Sequence, residues 1–316
     1  MKNNKFYITT PIYYPSGKPH MGHAYSSIFA DIFARFKRND NCEVYFLTGT
    51  DEHGQKVQKA AIESNLNPKE FVDQMSKNFK DLLPALGCEV DDFIRTTEIR
   101  HKKASQFLWN KLEKNGQIYL SNYEGWYSVR DEAFYSESEL TKKNNIFYAP
   151  SGSAVEWVKE ESYFFKLSNW QDKLIDFYEK NPESIRPKSR YNEVLSFIKS
   201  GLKDLSISRT TFKWGISVPD NKDHVMYVWL DALQNYLSAL EYPNTESLLY
   251  KKYWPATHIV GKDILRFHSV YWPAFLMAAN LPLPKKIYAH GWWTNEGQKI
   301  SKSIGNVIDP YKIINE

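Results

Sequence analysis

The stretch KFYITTPIYYPSGKPHMGHAYSSIFADIFARFKR, Lys5–Arg38, decides the fold. It opens with a β-branched and aromatic run, Lys5–Thr10, that reads as a short strand. A loop punctuated by Pro11, Pro15, Gly17 and Pro19 follows. After it, Ile28, Ile32, Phe33 and Phe36 recur at helical spacing. Strand, loop and helix in that order form the first unit of a parallel α/β sheet.

Working outward, CEVYFLTGTD (42–51) reads as a buried strand that ends in a polar loop. Helical patterns cover Lys56–Glu63 and Pro68–Leu86, a strand is expected at Asp92–Thr96, and a long helix at Ile99–Asn115. Alternating strands and helices predict a parallel sheet with right-handed crossovers. Past Gly116 the texture changes to short aromatic runs and many turn residues, with helix-like pieces only near Gln171–Lys180 and Glu193–Lys199. The α/β pattern resumes near Tyr227. HIVGKDILRFHSVYWPAFLMAA (258–279) reads as strand, loop and helix, and KKIYAHGWW (285–293) as a further strand. The expected organisation is an α/β domain in two halves, 1–116 and 224–316, interrupted by an α+β insertion over 117–223.

Composition sets outer limits. The chain has 316 residues, 42% hydrophobic and 25% charged, which is ordinary globular usage. Its apolar runs are too short for a membrane span, and the N-terminus lacks the pattern of a signal or transit peptide. Only Cys42 and Cys88 are present, so neither a disulfide framework nor a cysteine-rich metal site is expected, and a reducing cytoplasm suits the chain. A net charge of +4 is compatible with a phosphate-rich partner without requiring one.

Two short motifs carry chemistry. His20-Met21-Gly22-His23 sits where the loop opens the first helix, and backbone N–H groups and the helix dipole make that end an anion site. Two histidines could donate to phosphate oxygens while Gly22 admits close approach; taken alone, they could equally make ordinary helix-start hydrogen bonds. Neither the dinucleotide fingerprint nor the P-loop is present. Near the other end, Lys299-Ile300-Ser301-Lys302-Ser303 puts two lysines in a Gly-bounded polar stretch. In isolation such a pair is most simply solvated charge.

Together the motifs resemble the two signatures of class I aminoacyl-tRNA synthetases. The residues between them, LTGTDEHGQKVQ, DDFIRTT, YEGWYSV, VKEESYFF, YVWLDALQNY, GKDILRFHS and AHGWW, resemble methionyl-tRNA synthetases in order and over essentially the whole chain. The resemblance implies a Rossmann-like nucleotide-binding sheet with a small connective insertion. It also implies an activity: ATP and Mg²⁺ convert L-methionine to methionyl-adenylate, and the acyl group then passes to tRNA(Met). His20 and His23 would contact ATP with Gly22, and Lys302, assisted by Lys299, would neutralise the departing pyrophosphate. Gly261, Asp263, His290, Gly291 and Trp292 would flank the ribose and adenine, with Asp263 on the ribose. Asp51 would accept the methionine ammonium. Ile12, Tyr14, Trp229, Leu233, Tyr236, Phe267 and His268 would enclose the side chain, the Tyr236 hydroxyl and a backbone N–H near Ile12 recognising the sulfur. Read without the resemblance, Trp229 and Phe267 are simply core residues.

The chain departs from the family in two places. Where relatives carry Cys and His zinc knuckles it has Ser128, Asp131, Tyr148 and Ser151, so no structural zinc is expected, and Trp126, Tyr127, Phe134, Tyr135 and Trp157 would hold the insertion together. The family also continues past the lysine signature into a helical anticodon-binding domain, which this chain is expected to lack. Transfer to tRNA should then be impaired and the lysine loop mobile. A monomer is expected. Two other readings share these motifs: a nucleotidyltransferase that does not act on tRNA, and a non-catalytic tRNA-binding fragment.

Overall fold

The structure is a computed structural model that describes residues 4–130, 133–292, 294–295, 298–299 and 308–315. In chain order the elements are β1 (Lys5–Thr9), α1 (Met21–Asn39), β2 (Glu43–Thr50), α2 (Gln55–Glu63), α3 (Pro68–Ala85), β3 (Asp92–Arg95) and α4 (Ile99–Lys114). The insertion contributes β4 (Ile118–Ser128), β5 (Glu156–Phe165), α5 (Gln171–Lys180), β6 (Ile185–Arg186) and α6 (Lys188–Lys199). The second half adds α7 (Val228–Leu233), β7 (Thr257–Gly261), α8 (Trp272–Ala278) and β8 (Lys286–His290).

Among the described residues β3-β2-β1-β7-β8-β6 form one six-stranded sheet, and every neighbouring pair is parallel. Alternation sorts its side chains. Ile8, Phe46 and Ile259 face α1, while Tyr7, Leu47 and Val260 face the larger core around Trp109, Tyr236 and Trp272. Both faces are covered, so β7, at the centre, is buried from end to end.

The expected α1 forms, but it lies on the sheet through small residues. Ala24, Ser27, Ala30 and Ala34 are buried, whereas Ile28, Ile32 and Phe36 are exposed. Alanines let the helix approach the strands closely, and that contact outweighs the burial of the larger apolar stripe. The other helices follow the sequence pattern to within a residue or so, except α6, which begins at Lys188 ahead of the expected Glu193. Asn67 caps α3, its side-chain oxygen accepting from the Glu70 N–H at 2.9 Å, with Pro68 at the first helical position.

In the insertion β4 and β5 pair antiparallel from Ile118↔Phe165 to Tyr127↔Glu156, within a four-stranded sheet. Trp126 packs on Phe147 and Trp157 at 4.4 and 5.3 Å between ring centroids, although Trp157 is half exposed. The Ser128 hydroxyl lies 2.6 Å from that of Ser153, which is 2.9 Å from that of Ser151. Asp131 lies outside the described residues. The insertion also reaches into the main fold: β6 forms the sheet edge beside β8, and Phe165, Trp170 and Tyr178 share the core of Trp272 and Phe275.

The strand order reverses at β1. From β1 the chain proceeds outward through β2 and β3 on one side, and β7 and β8 lie on the other. The crevice beyond the carboxyl ends of β1 and β7 is where open parallel sheets bind ligands.

Candidate active site

The motif residues gather along that carboxyl edge. His20 caps α1: its Nδ1 accepts from the Gly22 N–H at 3.1 Å, and its own N–H donates to His23 Nδ1 at 3.0 Å. The two rings stack at 3.8 Å. Because both Nδ1 atoms accept from backbone N–H groups, each neutral ring carries its proton on Nε2, and that atom is a donor. A Cβ at Gly22 would lie 2.9 Å from His20 Cε1, so glycine is required for the ring to fold back onto the helix start. Met21 N–H donates to the Ile308 carbonyl at 3.2 Å, which ties the segment just past the lysine motif to the same helix end.

Asp263 follows β7, and a Cβ on Gly261 would come within 2.5 Å of its Oδ1, so that close approach also needs glycine. His290 ends β8; its Nε2 lies 2.9 Å from the Ser26 hydroxyl on α1, and its Nδ1 donates to the Gly291 carbonyl. Trp292 is exposed, with the Lys262 ammonium 3.7 Å from its ring centroid. The backbone of Lys299 pairs with Thr294 in a short hairpin. Lys302 lies outside the described residues.

The residues assigned to methionine come together as one wall. Trp229 and Phe267 stack with centroids 3.4 Å apart, and Ile12, Leu233 and Tyr236 pack in the same cluster. Asp51 directly follows β2, buried, its N–H held by the Tyr13 carbonyl at 2.9 Å. The Tyr14 hydroxyl donates to the His53 carbonyl at 2.8 Å, bracing the loop after Asp51. His268 sits on a single π-helical turn, Phe267–Tyr271, with its Nε2 2.7 Å from the Tyr236 hydroxyl.

Behind this wall lie polar groups that the sequence reading did not single out. Asp231 is buried on α7, 2.7 Å from His53 Nδ1 through one oxygen and 2.7 Å from His101 Nε2 through the other. Burial alone would raise the Asp231 carboxyl, but the two imidazoles outweigh it and hold its pKa well below the usual carboxylate range. Asp231 thus ties the loop after β2, helix α4 and the helix carrying Trp229 into one unit. Glu52, fully buried, accepts from Arg95 Nε at 2.6 Å and from the Thr50 hydroxyl at 2.8 Å. From the insertion, Trp214 donates its indole N–H to the Glu52 carbonyl at 2.6 Å. Arg209, also buried, stacks 3.7 Å above the Tyr227 ring and donates to the Ser206 hydroxyl and the Ser208 carbonyl, both at 2.6 Å. The only hint in the sequence was the crowding of charge in DEHG beside apolar strands, since Glu52 meets Arg95 and His53 meets Asp231 across 43 and 178 positions.

The parallel sheet with its ligand crevice at the carboxyl edge defines a nucleotide-binding α/β class, and the profile of one family, described as tRNA synthetases class I (M), matches residues 6–316. The chain belongs to that family. It is 66% identical over 315 residues to a methionine–tRNA ligase of Rickettsia bellii, covering 99% of this chain and 61% of that protein. A methionine–tRNA ligase of Brucella melitensis is 57% identical, with the same coverage. Methionyl-tRNA synthetase of Mycobacterium tuberculosis in complex with methionyl-adenylate superposes with a TM-score of 0.96 at 50% identity, over 98% of this chain and 62% of that one. The chain therefore spans about 61% of the length of the curated relatives it matches.

Proposed function

We propose that this chain activates L-methionine with ATP to form methionyl-adenylate and passes the methionyl group to the 3′ end of tRNA(Met). One observation carries the reading: the start of α1, capped by His20 and His23, shares the sheet's carboxyl edge with an aromatic wall beside buried Asp51. That pairing of an anion site with an apolar pocket suits a phosphate-bearing substrate joined to a thioether amino acid.

In this mechanism the methionine carboxylate attacks the α-phosphorus of ATP in line, and pyrophosphate, which arrives with its Mg²⁺ as part of the substrate, departs. His20 and His23 donate to phosphate oxygens as charge builds on them, and Lys299 and Lys302 neutralise the leaving group. Asp51 holds the ammonium, which orients the carboxylate. The stacked Trp229 and Phe267 exclude water and offer polarizable surface to sulfur. Positioning and fixed electrostatics supply most of the acceleration in such displacements. A cytoplasmic location and a monomeric state complete the proposal. The described residues include no helix long and apolar enough to cross a membrane, and both cysteines are unpaired.

The test is pyrophosphate exchange run across the amino acids. Exchange that depends on methionine is expected. Exchange without any amino acid would point instead to a nucleotidyltransferase, and none at all to a non-catalytic tRNA-binding fragment.

A further inference from the structure

One face of β8 is left open. β7 is buried at every residue, but β8 alternates: Ile287 and Ala289 are buried in the larger core, while Lys286, Tyr288 and His290 are half-buried. The edge strand β6 repeats the pattern, with Ile185 buried and Arg186, in register with Tyr288, half-buried. Helix α1 lies over β2, β1 and β7 and touches β8 through Phe29, Phe33 and Ser26. A parallel sheet is ordinarily covered on both faces, and here its outer part is a floor with one wall.

A cavity of about 520 Å³ opens over that floor, a size usual for small-molecule sites. Phe29 and Tyr288 supply its aromatic surface, and Arg186, Lys188 and Lys286 its charge. The Phe29 ring is fixed by Tyr25, stacked on it at 6.1 Å, and by Phe33, edge-on at 5.4 Å. None of the described residues that line the cavity is acidic. Arg186 pairs with exposed Glu183, but among the described residues neither Lys188 nor Lys286 has a carboxylate partner. Their ammonium groups lie over rings instead, 3.9 Å from the Tyr191 centroid and 5.7 Å from that of Tyr288. His290 closes the end nearest the carboxyl edge, and Lys286 lies four residues back, about 13 Å along the strand.

Cations alone would suit any anion. Cations beside fixed aromatic faces, with no carboxylate among them, suit an anion that also carries a flat π-face, and a nucleotide has that chemistry. We propose that this cavity is a second nucleotide-binding site, apart from the crevice assigned to activation. The base lies against Phe29 and Tyr288, and Arg186, Lys188 and Lys286 hold the phosphate. A free nucleotide and the unpaired end of an RNA strand present the same base and phosphate.

The site is tested with the activation crevice filled by a non-reactive analogue of methionyl-adenylate. Equilibrium dialysis with labelled AMP should then find one AMP bound per chain, and none bound would overturn the proposal. Arg186→Glu with Lys286→Glu should weaken that AMP by about tenfold or more, with Arg186→Gln and Lys286→Gln as the milder pair if the reversed one does not fold. Tyr288→Leu should weaken AMP severalfold but leave ribose 5-phosphate, which has no base, within about twofold. AMP affinity unchanged in these variants would overturn the proposal. Competition by a single-stranded RNA oligonucleotide at least about tenfold better than by AMP identifies RNA as the source, and equal competition the free nucleotide. If the analogue does not bind, the methionine reading fails. A photoreactive azido-AMP still decides the second site, by whether it labels the peptide that carries Tyr288.

Discussion

The histidines at the start of α1 and those behind the aromatic wall are held in opposite ways. His20 and His23 are half-buried, and the Nδ1 of each accepts from a backbone N–H at the helix start. His53, His101 and His268 are buried: His53 and His101 bind Asp231, His101 also meets the Ser238 hydroxyl, and His268 meets Tyr236 and the Ile264 carbonyl. A polyanion is recognised by donors kept at the edge of solvent. An apolar side chain needs a wall that does not move, and here that rigidity comes from charge and hydrogen bonds placed one layer deeper. One residue type thus serves as scaffold behind the wall and, in the proposed mechanism, as ligand contact at the helix start.

The largest expected effect tests the first half of that contrast. His23→Ala should lower the rate of methionine-dependent pyrophosphate exchange by about 10²–10³, the usual loss for one donor to developing charge, while stability falls by no more than the roughly 1 kcal/mol of a lost helix cap. A large fall in stability with normal turnover in the folded fraction would make His23 scaffold and break the comparison.

Asp231→Asn tests the second half. It removes the charge between two imidazoles while keeping the shape, and breaking a buried pair from one side typically destabilises by about 3–5 kcal/mol. Denaturant unfolding should register a loss of that size. A change below about 1 kcal/mol would mean that Asp231 does not hold the interior together.

Acid should loosen the interior next. The His268 imidazole titrates near 4 in the folded protein and near 6.5 when unfolded, so between those values the unfolded chain binds more protons and stability falls as pH falls. Its contribution is fully present above 6.5 and is lost at up to about 1.4 kcal/mol per pH unit down toward 4. His258, also depressed, adds in the same direction. Unfolding midpoints that stay flat from pH 7 to about pH 5 would show that neither ring is held neutral.

The smallest effect concerns α1. Ile32→Ser and Phe36→Ser lie on its exposed stripe and should each change stability by less than about 0.5 kcal/mol, whereas a buried apolar stripe would lose several times that. Equilibrium unfolding of the two variants separates these cases.

Much of the fold was legible because its signals are local. Periodicity placed β1, α1, β2, α3 and α4, since a helix or strand shows its period within a few residues. Which face of α1 is buried was not legible for the same reason. The pattern counts apolar side chains, but the sheet selected Ala30 and Ala34 because close approach mattered more than side-chain size. β6, only two residues long, gave no periodic signal, and its place at the sheet edge depends on β8, about a hundred positions later in the chain.

The site divides along the same line. HMGH announces itself because a strand, a loop and a helix start lie within one short stretch, and the helix end makes that place an anion site whatever surrounds it. Sequence by itself also determined the interrupted α/β layout, the shortage of thiolates and the residue types of the aromatic wall. Tertiary structure alone decided the rest: that Asp231 joins His53 to His101, and that His268 lies against the Tyr236 hydroxyl. The reason is physical. Periodicity and helix-end dipoles act between neighbours in the chain, whereas hydrogen-bond direction and buried charge depend on which distant groups the folded core brings within 3 Å.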